Sequence, residues 1–480
     1  MTRLARGSGL GGALVVAVVS LGATQLAACV SMAPAYERPA APVPASLPGA
    51  SGSSGSNNGN ANANAAEVPW RQFVREPRLQ QVIERALAQS RDLRKAALAI
   101  ESARAQYRIQ RAQSLPSIDA VAAITSTRTI VGPDNAAGTA TLYSAGVGLA
   151  SWEIDLFGRL RSLSDAKLHA YFSTVEAAKA TRISLIAETA GAYLTLAADH
   201  SRLAIARDTM ASSKRTMDLT DQLVGGGTSN RGDYWQVATV YQQARADVAL
   251  LTAAIAQDRD ALELLAGGPI SDDLLPDVLP EQLDWVADVP VGLSSAVLLE
   301  RPDVLAAEHD LQAANANIGA ARAQLFPSLA LTASGGLAST ALAALFTGPA
   351  AVWTLAPSLA MPLFRGGANR ANLDYTQAQK QLFIASYELA IQRAFREVAD
   401  ALATRGTIDE QLAAQAALVE AAAKSFELAQ ARYKAGVDTF LTTLVSERAL
   451  YAARGSLVAT QLAALGNRVT LYRVLGGGLN

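Results

Sequence analysis

Reactivity in a chain of 480 residues would be sought first among cysteine, histidine and the acidic side chains, and here the supply is thin. Cys29 is the only cysteine, and His169, His200 and His309 stand alone, with no second histidine or cysteine at metal-ligand spacing. No metal is expected from them. A P-loop, a Gly-x-Ser-x-Gly turn and a His-Glu-x-x-His pair are all missing from the sequence. Neither a catalytic residue nor a cofactor is therefore expected, and the reading is not that of an enzyme. The one reactive group with a context is Cys29, which directly follows an apolar run ending Leu26-Ala27-Ala28. An exported thiol there would have no intramolecular partner for a disulfide.

The elements that carry the remaining polar residues are set by length. From Ala368 to Ala435 the chain has no proline and one glycine, Gly406, while Phe383, Tyr387, Ile391, Phe395, Val398 and Leu402 return at helical spacing. A helix of that length would reach about 100 Å, beyond what an ordinary globular domain spans. Arg159 to Val224 is a second such stretch, interrupted by Gly191 alone. Each is preceded by a Phe-Gly signal (Phe157-Gly158; Phe364-Arg365-Gly366) and followed by a glycine turn (Gly225-Gly226-Gly227; Gly436), which marks an internal duplication. After its turn each long helix is expected to fold back, over about Asp233–Leu265 and Thr439–Leu475, giving two coiled-coil-like hairpins.

Shorter features repeat as well. A helix from about Arg78 to Gln113, broken near Ser90-Arg91-Asp92, stops at Leu115-Pro116-Ser117, and a helix opened by Asp303 stops at Phe326-Pro327-Ser328. Pro116 and Pro327 each lie 24 residues beyond an aspartate, Asp92 and Asp303. Past each proline the helical period disappears. Two strands are expected in each half, at about 117–129 and 142–155 around the turn Gly132-Pro133-Asp134-Asn135, and at about 328–338 and 352–363 around Gly348-Pro349. Alternation such as Leu329, Leu331 and Ala333 against Ala330, Thr332 and Ser334 suits strands with one face to lipid and one to a lumen. Four strands cannot close a barrel, and open edges are not tolerated in hydrocarbon, so strands that span a membrane would require several copies of the chain. The competing fold is a soluble four-stranded sheet capping a helical bundle.

Composition narrows the class. The chain is 50% hydrophobic and 6% aromatic, which suits closely packed helices, and its formal net charge of -1 lacks the basic field that nucleic acid demands. Arg3 and Arg6 followed by the apolar run Leu10–Leu26 form a targeting segment, and no later stretch is apolar over the roughly 18 residues a membrane helix requires. Residues 30–66, with five prolines from Pro34 to Pro48 and then a Ser/Gly/Asn/Ala tract, are expected to be a disordered tether.

Leu26-Ala27-Ala28-Cys29 resembles the lipobox of bacterial lipoproteins, the alternative being an ordinary signal peptide with a chance cysteine. The resemblance implies removal of residues 1–28 and diacylglycerol and N-acyl (palmitoyl) groups on Cys29. That motif, Tyr36-Glu37-Arg38-Pro39, Trp70 with Phe73, Asp92-Leu93-Arg94, Arg301-Pro302-Asp303-Val304, Ala321–Pro327, Pro362-Leu363-Phe364 and Tyr433–Val437 occur in an order that resembles the TolC-like outer-membrane factors, in the lipoprotein branch serving resistance-nodulation-division (RND) efflux pumps. What the resemblance implies is a mainly α fold with a small β part. Long helical hairpins would form a periplasmic α-barrel, and four strands per chain would enter a twelve-stranded outer-membrane β-barrel of a homotrimer. Two efflux repeats, 67–268 and 293–478, would follow the lipidated tether 29–66 and flank a connector, 269–292.

The same resemblance implies a lipid-anchored outer-membrane channel that extends into the periplasm and passively conducts small molecules handed on by a periplasmic adaptor and an inner-membrane RND-type transporter. It puts Gly227, Asp233, Gly436 and Asp438 at the tip that meets the adaptor, and Asp438, Leu441, Thr442, Val445 and Arg448 near the closed aperture. Family members often carry an aspartate at the position of Thr442 or Val445. This chain has neither, which leaves Asp438 or Glu447 to supply an acidic ring. The competing readings are the outer-membrane component of a type I protein secretion system and a periplasmic coiled-coil lipoprotein without a pore.

Overall fold

A computed structural model describes residues 31–47, 68–130, 137–227, 229–289, 294–346, 348–435 and 437–477. The expected targeting segment 1–28, Cys29, most of the tether beyond Leu47, the turn Gly132–Asn135 and Gly436 lie outside the described residues. The elements in order are α1 (Trp70–Phe73), α2 (Pro77–Gln89), α3 (Arg91–Ala112), β1 (Ile118–Ile130), β2 (Ala137–Ile154), α4 (Arg159–Gly225), α5 (Arg231–Ala266), α6 (Pro302–Ala323), β3 (Ser328–Ser339), β4 (Ala351–Ala360), α7 (Ala368–Lys434) and α8 (Phe440–Val474), with short 3-10 turns between some of them. The two long helices, α4 and α7, are 67 residues each. None of the described helices is long and apolar enough to cross a membrane.

The chain divides into two compact units that do not follow the duplicated halves. One holds residues 1–40, 100–174 and 307–387, the other 41–99, 175–306 and 388–480, so each half contributes to both.

The first unit contains the sheet. β1, β2, β3 and β4 pair in that order, all antiparallel, so that the two expected hairpins are joined edge to edge through β2 and β3. Two strand ends differ from expectation. β2 begins at Ala137 rather than near 142, because the small residues Ala137-Gly138-Thr139 join the ladder opposite Ile130, Thr129 and Arg128 although they carry little strand propensity. β4 ends at Ala360 rather than 363, ahead of Pro362, which has no N–H to give a ladder. Where β2 crosses β3 the backbones meet at Gly146 and Gly336: a Cβ on Gly146 would come within 2.6 Å of the Gly335 carbonyl oxygen.

In the same unit, residues expected to be a disordered tether are docked. Arg38 forms a two-pronged ion pair with the buried Glu308 of α6 at 2.8 and 2.7 Å, and Tyr36 donates its hydroxyl to the same carboxylate at 3.1 Å. The Pro34 carbonyl accepts from Asn315 at 2.8 Å, and Gly319 leaves the room in which the backbone of Ala33 lies. Residues 31–40 have too little apolar surface to fold alone, but charge-assisted bonds to α6 hold them in place.

The second unit is a helical core around Tyr193, Leu194, Leu79, Ile83 and Tyr472, with Phe73 stacked on Tyr472 at 4.1 Å. Arg301, buried, donates to the Val474 carbonyl at 2.9 Å and pairs with Asp303 and Glu397. Gly267 ends α5 at a φ of +79°, and a Cβ there would strike the carbonyl of Gln89.

Candidate functional site

Two places hold the residues singled out by sequence, the turn region of the helical hairpins and the strand sheet. In the turn region, α4 ends in Gly225-Gly226-Gly227, with Gly227 at a φ of +74°, a conformation that glycine enters without the steric cost a Cβ brings. Asn230 then caps α5, its side chain accepting from the Asp233 backbone N–H at 2.9 Å while Ser229 and Asn230 donate to the Asp233 carboxylate at 3.1 and 3.0 Å. Asp233 is thereby committed to its own turn.

Asp438 is committed in the same way. Arg432 grips it through Nε at 2.6 Å and a second guanidinium nitrogen at 3.0 Å, and that hydrogen-bonded contact holds the carboxyl below the usual range. Glu447 lies inward: it is buried, accepts a 3.1 Å hydrogen bond from Ser213 of α4, and is pushed up by burial, with the Ser213 bond acting the other way. Of the two carboxylates left to form an acidic ring, one is paired and the other is buried.

Leu441, Thr442, Val445 and Arg448 share one exposed stripe of α8, at the i, i+1, i+4, i+7 spacing of a single helix face. Arg448 donates to the Thr239 hydroxyl of α5 at 2.7 Å. On the opposite face Phe440 and Leu444 are packed with Val237 and Val240 of α5, with Met217 of α4 and Tyr433 of α7 at the margin. Tyr433 meets the Phe440 ring edge-on at 5.3 Å, and Tyr451 donates to Asp247 of α5 at 2.7 Å. Phe440, Leu444 and Tyr451, in line with the acidic-ring candidate Glu447, were not singled out from sequence. Their spacing of four, three and four residues is the signal that would have found them.

The sheet carries a different chemistry. Cross-strand partners share a face, so register sorts the side chains. Ile118, Ile124, Val147, Leu149, Trp152, Leu329, Leu331, Trp353, Leu355 and Leu359 fall on one side; Asp119, Thr125, Thr127, Ser144, Glu153, Thr332, Ser334, Thr354 and Ser358 fall on the other. Toward the β1–β2 turn the apolar face gives way to Ser126, Arg128, Thr139 and Thr141. A β-bulge between Leu149 and Trp152, with Ser151 at a φ of +47°, adds one residue to β2. Among the described residues the apolar face is uncovered, with Ile118 74% and Leu359 69% exposed, and the outer edges of β1 and β4 have no strand partner.

Comparison with known proteins fits this pattern of two hairpin-bearing halves. Residues 82–268 and again 293–477 match the outer membrane efflux protein family. The solvent efflux pump outer membrane protein SrpC of Pseudomonas putida is 42% identical over 453 residues, which cover 93% of this chain and 95% of that protein. Among solved structures, a membrane protein from Pseudomonas aeruginosa superposes with a TM-score of 0.86 at 39% identity, covering 94% of this chain and 98% of the other. The open state of the outer-membrane channel MtrE of Neisseria gonorrhoeae gives 0.84 at 37% identity, covering 94% and 99%. With both halves matched and the likeness running along nearly the whole of chain and relatives alike, this protein belongs to the outer membrane efflux protein family, a family of transport proteins and not of enzymes.

Proposed function

We propose that this protein is the outer-membrane channel of a tripartite efflux pump, passively conducting small molecules from a periplasmic adaptor and an inner-membrane RND-type transporter to the exterior. The observation that carries this reading is the sheet. Its apolar face matches a lipid surface, its polar face matches a water-filled lumen, and its two free edges would each leave a row of backbone groups costing several kcal/mol apiece in hydrocarbon. Edge-to-edge pairing of β1 with β4 of the next copy removes that cost, and three copies make a twelve-stranded barrel wide enough for a lumen. The helical hairpins would continue the conduit into the periplasm. Cys29 would bear the acyl chains, with the docked residues 31–47 following it.

At the inner end, Leu441, Thr442 and Val445 would line the aperture. With Asp438 paired to Arg432 and Glu447 buried, this lining is neutral, an apolar and hydroxyl constriction followed by the basic Arg448 in place of an acidic ring. Conduction is passive here, with the energy supplied by the inner-membrane partner.

Purified mature protein reconstituted in planar bilayers tests the reading. A trimer with single-channel conductance is expected, and Thr442→Trp is expected to lower that conductance severalfold. A monomer in detergent that is electrically silent in lipid would overturn the proposal, and unchanged conductance in the tryptophan variant would remove Thr442 from the aperture.

A further inference from the structure

Within the unit that holds the sheet, α4 and α6 bring together two histidines that lie 140 positions apart in sequence. His169 Nδ1 stands 3.4 Å from His309 Nδ1, with the ring centroids 5.6 Å apart, and Gln312 Oε1, one turn along α6, is 3.1 Å from that same His309 nitrogen. Phe172 lies against both rings, at 6.2 and 5.4 Å. His169 Nδ1 and Gln312 Oε1 thus both lie within reach of His309 Nδ1, three atoms with lone pairs whose donor and acceptor roles depend on the imidazole tautomers. One divalent cation would satisfy all three.

We propose that His169, His309 and Gln312 form a binding site for a zinc-class divalent cation, held by the two Nδ1 atoms and the amide oxygen, with water completing the coordination. The distances argue for it. Zinc–nitrogen bonds of about 2.0–2.1 Å at a tetrahedral angle put two ligand nitrogens about 3.3–3.4 Å apart, the separation seen here. Imidazole nitrogen selects zinc and its transition-metal neighbours over calcium or magnesium, which take oxygen cages.

The surroundings agree. Asp165 acts electrostatically on His169 from the same helix, while the Asp310 carboxylate is bonded to Ser173. Phe172 walls off one side, which limits water access to the bonds. No third histidine, cysteine or carboxylate joins the set among the described residues. The site is therefore open and its metal exchangeable. It clamps α4 to α6, and the inference does not depend on conduction.

The test uses full-length protein in detergent, purified through a histidine-free tag, stripped with chelator and titrated with zinc chloride by calorimetry. One zinc per chain is expected, with affinity falling as pH drops below 6 because protons compete for the imidazoles. His169→Gln and His309→Gln should each weaken binding at least tenfold, and His200→Gln, which changes the remaining histidine of the chain, should leave it unchanged. Cobalt(II) should develop the intense visible absorption of a tetrahedral site in the wild type and not in the double variant. Absence of stoichiometric zinc uptake by the wild type, or equal uptake by the double variant His169→Gln/His309→Gln, would overturn the site. Zinc should raise the melting temperature of the wild type and not that of the variants. A variant that melts as the zinc-free wild type does yet still responds to zinc also counts against it.

Discussion

The strand sheet and the turn region of the helical hairpins solve opposite problems. In the sheet, a single chain leaves two edges unpaired and an apolar face bare. In the turn region, a single chain closes its own accounts: Phe440 and Leu444 are buried against Val237 and Val240, Asp233 caps its helix, and Asp438 is matched by Arg432. On the function proposed above, the sheet is thus the part that calls for further copies, whereas the turn region packs a small core and pairs its carboxylates within one chain.

Substitutions should separate the two. The largest effect is expected from Gly336→Val, since even a Cβ at this position would strike the Ala145 carbonyl oxygen and the Gly146 Cα across the β2–β3 pairing. On the trimeric reading proposed above, loss of a heat-resistant oligomer on unheated gels is the expected outcome. A normal oligomer with normal conductance would show that β2 and β3 do not meet as described. Leu444→Ala should cost about 2–5 kcal/mol of local stability, the range for an emptied leucine site in a packed core. Its readout is a lower melting transition or faster proteolysis of the hairpin turns with the oligomer retained, and dissociation of the oligomer would erase the contrast drawn here.

The smallest effect concerns Glu447. Burial raises its folded-state pKa above the unfolded value, so its contribution to stability is fully present below the unfolded value and is lost as pH rises through the folded one. Glu447→Gln should therefore stabilise the turn region at pH 7 to 8 and flatten the decline of melting temperature with rising pH above about 4.5. A variant less stable than wild type at pH 8 would mean that the charge is held by more than Ser213.

Much of this architecture could be read in the chain. Proline-free runs bounded by glycine marked α4 and α7 to within a residue, and helix stops at Pro116 and Pro327 located the strands. Other features could not be read. The 31–40 segment has the composition of a tether because what holds it, Glu308, Asn315 and Gly319, lies far away in α6. Leu441, Thr442, Val445 and Arg448 share a face as their spacing required. The engagement of Asp233 and Asp438 by their own turns, and the burial of Glu447, depend on rotamers and neighbours to which a carboxylate in a sequence gives no clue. The meeting of His169 with His309 is hidden for the same reason, by 140 intervening positions.

Ser151 has one last effect. Counted in simple odd and even positions, β2 would turn Trp152 and Ile154 to the polar face and put the Glu153 carboxylate on the apolar one. The single supernumerary residue resets the phase, so that Trp152 and Ile154 stay opposite Leu331 and Leu329 while Glu153 points the other way and binds Arg159 at 2.5 Å. Were Ser151 paired into the ladder instead of bulged out, an anion would replace a tryptophan on the apolar face, whereas deleting the serine would leave Trp152 and Glu153 on their present faces.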